Sequence, residues 1–198
     1  MKQNRNIILA SASPRRKELF EMAGLEFEVR TSNASEKKIG KDPAEIVQNI
    51  ARQKAGAVAV STDIRSSSIV VGADTVVVRD NDILGKPADK EDAFKMLRSL
   101  RNRTHTVFTG VCALSADSGK PVLLFSEETL VEFCDYTDSQ ILEYIKSGEP
   151  MDKAGSYAIQ GPGCFMVKGI RGDYHNVMGF PIGRFLREAL RLGWIEII

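Results

Sequence analysis

Two charged residues lie inside segments that otherwise have the pattern of buried structure. Asp74 interrupts a strongly apolar β run over residues 69–78, and Lys54 falls on the apolar stripe of a helical segment over residues 42–60. A carboxylate or an ammonium group in such a place needs a partner of opposite charge, a metal ion or a route to water. Each also has a simpler interpretation. Asp74 would then be a turn residue, and Lys54 would extend to solvent from the edge of the core.

Two arginines lie at the start of the first predicted helix. An apolar run at residues 7–10 predicts a buried strand, and Ser13, which precedes a proline, has the residue type of a helix N-cap. Arg15 and Arg16 then fall in the first helical turn, where the helix dipole disfavours cations. An anion at this end, reached also by the hydroxyl of Ser11, would remove the conflict and indicates a phosphate site. A solvated arginine pair on the surface is the alternative.

Lys86 and Glu36 complete the set of candidates. Lys86 stands between a glycine and a proline, a rigid setting that can hold an ammonium group, and Glu36 lies in a polar loop. Several cations together with two carboxylates fit a polyphosphate whose divalent metal ion is held by the acids. The sequence has no P-loop motif and no complete dinucleotide fingerprint, so this chemistry would need another scaffold.

The elements that would position these residues are a mixture of helices and strands. We predict helices from residue 14, over 42–60, over 89–100, from 137 or 138 to 148, and over 181–192. Asp42 is predicted to cap the second of these helices, with Glu45 at the position for a capping box. We predict strands over 7–10, 27–31, 69–78 (two segments, or one strand with a break at Gly72), 104–115, 122–133 and 165–170, with a hairpin turn at 79–82. This mixture predicts an α/β fold with some antiparallel pairing.

The composition limits the class of protein. The chain has 198 residues, of which 43% are hydrophobic and 27% charged, and this composition suits a globular protein. Its formal net charge of +1 disfavours a dedicated nucleic-acid binder. No apolar run is long enough to span a bilayer, and the polar segment before the first strand does not have the pattern of a signal peptide. The three cysteines are far apart, which favours a reducing cytoplasm over a disulfide framework or a zinc site.

Six short motifs, in order along nearly the whole chain, resemble those of the Maf family of nucleoside triphosphate pyrophosphatases. They are LASASPRR at 9–16, ARQKA at 51–55, GADTV at 72–76, LGKP at 84–87, TGV at 109–111 and DKAGSYAIQG at 152–161. Any one motif is weak evidence, whereas six in the same order are specific.

The resemblance implies a fold and an activity. The fold would be a single domain over residues 1–198, elongated and two-lobed, like that of inosine triphosphate pyrophosphatases, with a mixed sheet, flanking helices and a cleft between the lobes. The activity would be hydrolysis of a nucleoside triphosphate to the monophosphate and diphosphate, with a divalent cation, Mg²⁺ or Mn²⁺.

The resemblance also implies roles for the candidate residues. Asp74 would be the proton acceptor for the attacking water, and Glu36 and Asp74 would contact the metal ion. The residues that would hold the phosphates are Ser11, Arg16, Lys54 and Lys86.

The branch of the family follows from three specificity positions. The dTTP/UTP branch carries arginine, threonine and glutamine there, and the corresponding residues here are Arg15, Thr75 and Gln160. The Gln160 amide offers a donor and an acceptor, which can pair with the O4 and N3–H edge of uracil or thymine. The resemblance thus implies action on dTTP and UTP, or on modified pyrimidine nucleotides, as nucleotide-pool housekeeping linked to cell division arrest. It implies a small-molecule nucleotide partner, and relatives often form homodimers; that no membrane is involved follows from the apolar runs described above.

Three other functions stay open at this point. A non-catalytic nucleotide-binding regulator of cell division would use the same pocket. Cys164 with His105 or His175 would make a cysteine hydrolase, although no strand-to-helix nucleophile setting surrounds Cys164. An RNA or DNA binder is the third, and the near-neutral charge disfavours it.

Overall fold

The computed structural model describes residues 1–31, 36–61 and 63–197. It contains the α-helices α1 (Pro14–Met22), α2 (Pro43–Ala59), α3 (Lys90–Leu100), α4 (Asp138–Lys146), α5 (Tyr174–Met178) and α6 (Ile182–Arg191). The strands are β1 (Lys2–Gln3), β2 (Ile7–Ala10), β3 (Phe27–Val29), β4 (Ile69–Arg79), β5 (Asp82–Leu84), β6 (Thr104–Ser115), β7 (Pro121–Phe133), β8 (Val167–Arg171) and β9 (Ile195–Glu196). Short 3₁₀ helices occupy Glu149–Asp152, Ala154–Ser156 and Gly161–Met166.

The sheet is mixed, which confirms the predicted α/β class. Its strand order is β3-β2-β4-β6-β7-β8, with β5 paired to β4, and β1 and β9 form a separate two-stranded pair. Strand β2 runs parallel to both β3 and β4, whereas β5 is antiparallel to β4 and β8 is antiparallel to β7. In the described part of the chain, no helix has the length and apolar character needed to cross a membrane.

The chain divides into two compact units. The first contains Met1–Asp74, Thr109–Glu127 and Gly179–Ile198, and the second contains Thr75–Phe108 and Glu128–Met178. The first unit has an apolar core shared by α2, β2, β4 and β6, in which Ile8, Ala55 and Val70 are almost completely buried.

Helix α2 packs very closely on the strands of the first unit. A Cβ atom added at Gly72 in β4 would come within 2.3 Å of the Ala51 carbonyl oxygen, and one added at Gly110 in β6 would come within 2.3 Å of the Val47 carbonyl carbon. Gly72 therefore does not break the strand. Residues 69–79 form one continuous strand, and Gly72 provides the space in which α2 lies against it.

The predicted helix starts are confirmed, but two predicted capping interactions differ in detail. Ser13 holds the N-cap position of α1, yet its side chain makes no capping bond, and its N–H donates to Ser11 Oγ instead. In α2, Asp42 accepts from the Glu45 N–H as predicted. The Glu45 carboxylate, however, accepts from the N–H of Lys41, one residue before the position that a capping box uses.

The core of the second unit includes a buried histidine. The His105 ring contacts the rings of Phe133 and Tyr157, with centroids 4.7 and 5.3 Å away, and His105 Nε2 lies 2.8 Å from the Tyr157 hydroxyl. Among the described residues, the buried atom His105 Nδ1 has no hydrogen-bond partner. Burial lowers the pKa of His105 from 6.5 to about 4, because the charged imidazolium would lose its hydration there.

This buried histidine makes stability depend on pH in a defined window. Between pH 4 and 6.5 the unfolded chain takes up a proton at His105 that the folded chain does not, so the free energy of unfolding rises as the pH rises through this window. The rise is at most about 3 kcal/mol and levels off above the upper limit. Urea denaturation at a series of pH values measures it. In His105→Gln, which does not titrate, this part of the slope should disappear, and an unchanged slope would contradict the assignment.

Candidate active site

Arg16 is the buried cation at the start of α1. Its Nε donates to the Gly179 carbonyl oxygen at 2.8 Å, and its Nη1 donates to the Ala73 carbonyl oxygen at 2.9 Å and to Ser11 Oγ at 3.3 Å. The residue is 8% exposed. Arg16 therefore joins three segments of the first unit: the loop after β2, the middle of β4 and the chain before α6. The alternative of a solvated arginine pair is wrong for Arg16.

The electrostatic environment of Arg16 contains both signs of charge. Burial lowers the pKa of its guanidinium, Asp74 and Glu36 raise that pKa, and the neighbouring Arg15 lowers it. Arginine nevertheless stays protonated in proteins. The guanidinium is thus a permanent positive charge close to both predicted acidic residues.

Lys54 and Asp74 form the central ion pair of the site. Lys54 Nζ lies 2.7 Å from Asp74 Oδ1, and the two side chains are only 16% and 14% exposed. Asp74 stands inside strand β4, so its interpretation as a turn residue is wrong, and the prediction of an inward-facing lysine with an anionic partner is confirmed. The close approach of α2 at Gly72 places Lys54 beside this strand.

Glu36 is the second carboxylate at this ammonium group. Its Oε1 lies 3.1 Å from Lys54 Nζ, and its side chain is 48% exposed. Residues 32–35, which precede it in the predicted polar loop, lie outside the described residues. One cation, the Lys54 ammonium, is therefore within ion-pair distance of both carboxylates.

The two carboxylates fit a hard divalent cation. In the described part of the chain, no group of three or more His, Cys, Asp or Glu residues is placed to hold a metal ion. Mg²⁺ commonly binds through one or two carboxylates, with substrate phosphates and water as its other ligands. Glu36 and Asp74, which already share one cation, have the donor chemistry for that arrangement.

Arg15 is half-buried in the first turn of α1, in the first unit, and its role stays a prediction. The remaining predicted site residues, Thr75, Lys86 and Gln160, belong to the second unit. Thr75 follows Asp74 in β4, and Lys86 is exposed in the loop between β5 and α3. This loop is tied to a 3₁₀ helix of the same unit, because the Gly155 N–H donates to the Gly85 carbonyl oxygen at 3.0 Å. Gln160 holds the position before the 3₁₀ helix Gly161–Met166. The roles of Thr75, Lys86 and Gln160 stay predictions.

One contact of this site was not predicted from the sequence. The Gly179 carbonyl accepts from Arg16, across more than 160 residues of chain, and no residue type marks a backbone acceptor. The glycine itself is the signal that the sequence offers. Gly179 has a positive φ of 118°, a conformation that glycine tolerates best.

The contacts of the cysteine and histidine residues do not support a cysteine hydrolase. Cys164 is exposed on a 3₁₀ helix. His105 Nε2 is hydrogen-bonded to the Tyr157 hydroxyl, and His175 Nδ1 lies 3.5 Å from Asp173. Each histidine thus has a partner that explains its position without Cys164.

The sequence is similar to known proteins over most of its length. A family model described as Maf-like protein matches residues 6–191. A dTTP/UTP pyrophosphatase of Geobacillus sp. (strain WCH70) is 49% identical over 191 residues, which are 96% of this chain and 100% of the relative. A dTTP/UTP pyrophosphatase of Bacillus anthracis (strain CDC 684 / NRRL 3495) is 48% identical over 186 residues, 93% of this chain and 94% of the relative.

The fold also has a counterpart among solved structures. A HAM1 protein from Coxiella burnetii superposes with a TM-score of 0.52, at 15% sequence identity, covering 95% of this chain and 99% of that chain. At this identity the likeness concerns the fold alone, and it agrees with the predicted α/β architecture.

Because of the contacts that Arg16 makes, we expect that lysine cannot replace it without a loss of stability. In Arg16→Lys a single ammonium group has to replace a planar fork that reaches acceptors on three segments, and buried carbonyl groups lose their donors. We expect the free energy of unfolding to fall by about 2 kcal/mol. Urea denaturation measures the change. The control Arg5→Lys, at an exposed position, should change it by less than about 0.5 kcal/mol, and equal values for the two variants would contradict the role of Arg16.

Proposed function

The chain belongs to the Maf family, and we propose on that basis that it is a nucleoside triphosphate pyrophosphatase for dTTP and UTP. It would hydrolyse the bond between the α and β phosphates and release the nucleoside monophosphate and diphosphate. One observation carries the proposal: a nearly buried carboxylate, Asp74, stands in the middle of a strand with its oxygen 2.7 Å from the Lys54 ammonium and beside the Arg16 charge. The names of the similar proteins support the choice of dTTP and UTP.

In this mechanism Asp74 acts on the attacking water. The carboxylate orients a water molecule toward the α-phosphorus and accepts its proton. The strand fixes the position of the carboxylate, because the Ala73 carbonyl next to it is held by Arg16. A fixed acceptor of this kind needs little reorganisation during the reaction.

The cationic side chains act on the phosphates. Lys54 and Arg16 supply positive charge next to Asp74, Ser11 supplies a hydroxyl group at the start of α1, and Lys86 is proposed as a further phosphate ligand. Charge that develops on the phosphate oxygens during phosphoryl transfer is stabilised by groups of this type.

A divalent cation, Mg²⁺ or Mn²⁺, is the proposed cofactor. Glu36 and Asp74 would hold it, and it would neutralise negative charge on the phosphates. Both carboxylates already contact one cation, the Lys54 ammonium group, and this supports the proposal that they can share a metal ion.

The proposed specificity depends on Arg15, Thr75 and Gln160. The Gln160 amide would read the O4 and N3–H edge of uracil or thymine, for which it has an acceptor and a donor. Modified pyrimidine nucleotides that keep this edge would also be substrates, which suits housekeeping of the nucleotide pool.

We propose the cytoplasm as the location of this activity. Cys112, Cys134 and Cys164 are free thiols, and free thiols suit a reducing compartment. A homodimer stays a prediction, which the elution volume of the purified protein would test.

The proposed function is tested with a panel of nucleoside triphosphates in the presence of Mg²⁺ or Mn²⁺. Diphosphate and orthophosphate release are measured separately. We expect diphosphate from dTTP and UTP, with at least about tenfold less from 7-methyl-GTP, because a contact difference of 1.4 kcal/mol already gives that ratio. Orthophosphate as the first product would contradict the bond assignment. Binding of dTTP without any product would favour the non-catalytic regulator.

Asp74→Asn should nearly abolish turnover. The amide keeps the shape of the side chain but cannot accept the proton of the water, and general-base catalysis contributes at least about 100-fold. Diphosphate release gives the rate, and calorimetry with dTTP measures whether much of the nucleotide affinity remains. The control Asp63→Asn removes a carboxylate that pairs with Arg30 at the surface and should keep wild-type activity. Near-full activity in Asp74→Asn would contradict the role of Asp74.

A further inference from the structure

The position of the Lys54 ammonium has a consequence for the metal ion. It lies 2.7 Å from Asp74 Oδ1 and 3.1 Å from Glu36 Oε1, the two carboxylates that the proposed function gives to the metal. Mg²⁺ binds its oxygen ligands at about 2.0–2.1 Å. A metal ion bound to Asp74 Oδ1 would therefore be no more than about 5 Å from the ammonium nitrogen, and two cations within this distance repel each other.

The surroundings of Lys54 make this competition strong. Its side chain and that of Asp74 are largely removed from water, so their charges are screened less than those of a surface pair. Arg16 adds a second permanent positive charge, since both carboxylates act on its guanidinium. In the free protein the two acids are thus already neutralised by cations of the chain itself.

We propose that Lys54 is the resident counterion of the metal site and keeps divalent cations from binding tightly in the absence of nucleotide. A triphosphate offers the ammonium another anion, and the flexible lysine side chain can move to it. The carboxylates then become available to the metal ion. This inference rests on the proposed function of the site and adds a property to it: binding of metal and binding of nucleotide strengthen each other.

This coupling is reciprocal. If the triphosphate raises the affinity for the metal ion by moving Lys54, the metal ion raises the affinity for the triphosphate by the same factor. Removing the ammonium group removes this source of coupling for both ligands. A protein without it binds the metal ion alone, while its nucleotide loses a cationic contact.

The test uses Mn²⁺ alone with the nucleotide-free protein, measured by calorimetry and by the electron paramagnetic resonance signal of free Mn²⁺. We expect Lys54→Met to bind Mn²⁺ at least about tenfold more tightly than the wild type, a change of about 1.4 kcal/mol. Lys54→Arg, which keeps the positive charge, should stay close to the wild type. In the double variant Lys54→Met with Asp74→Asn, the gain should disappear.

Lys2→Met is the matched control. It causes the same change of net charge in the same unit, and it removes an ammonium group that pairs with Glu196 at the surface. Its Mn²⁺ affinity should equal that of the wild type. A value for Lys54→Met within twofold of Lys2→Met would overturn the proposal.

The wild type gives a second measurement if Lys54→Met does not fold. Saturating Mn²⁺ should displace the ammonium, so that Lys54 reacts faster with an amine-acetylating reagent in peptide mass spectrometry, while the rate at Lys2 stays constant. Equal rates at Lys54 with and without Mn²⁺ would also overturn the proposal. Neither measurement uses hydrolysis, so diphosphate release from dTTP decides on the proposed function separately.

Discussion

The ion pair between Lys54 and Asp74 is the interaction on which the rest of the site depends. Each side chain is largely buried, and a buried charge without its partner is strongly unfavourable. The pair therefore restricts what the surrounding sequence can be. Helix α2 has to bring the lysine to the strand, so the strand needs a small residue where the helix approaches. Gly72 is that residue.

Arg16 fixes the same point of the strand from the backbone side. Its guanidinium holds the Ala73 carbonyl, so Asp74 is positioned through its own side chain by Lys54 and through the preceding peptide group by Arg16. The same guanidinium reaches Ser11 and the Gly179 carbonyl. A charge that the helix dipole disfavours at this end of α1 is stabilised by carbonyl groups and by nearby carboxylates. Bound phosphate is therefore not needed to explain the position of Arg16 in the free protein.

The sequence predicted the features that have a local physical signal. Lys54 on an apolar stripe and Asp74 in an apolar strand are conflicts of residue type with environment, and such conflicts require a partner that the structure indeed provides. The helix starts at Pro14 and Pro43 have equally local signals. Features that depend on distant chain segments were not predictable in this way. The Gly179 acceptor is one example, and the packing of α2 against Gly72 is another, because an isolated glycine in a strand can equally mark a break. The bond from the Ser13 N–H to Ser11 Oγ also shows that a residue type suited to capping does not guarantee the capping bond.

A double-mutant cycle on the free energy of unfolding tests the central claim most directly. The proteins are the wild type, Lys54→Met, Asp74→Asn and the variant with both changes, each unfolded in urea without metal or nucleotide. We expect the two single changes to be non-additive, with a coupling energy of about 1–3 kcal/mol. Without Lys54, Asp74 loses its ammonium partner, and without Asp74, Lys54 loses the nearer of its two carboxylates. A coupling energy indistinguishable from zero would contradict the account, since Lys54 and Asp74 would then not stabilise each other in the folded protein.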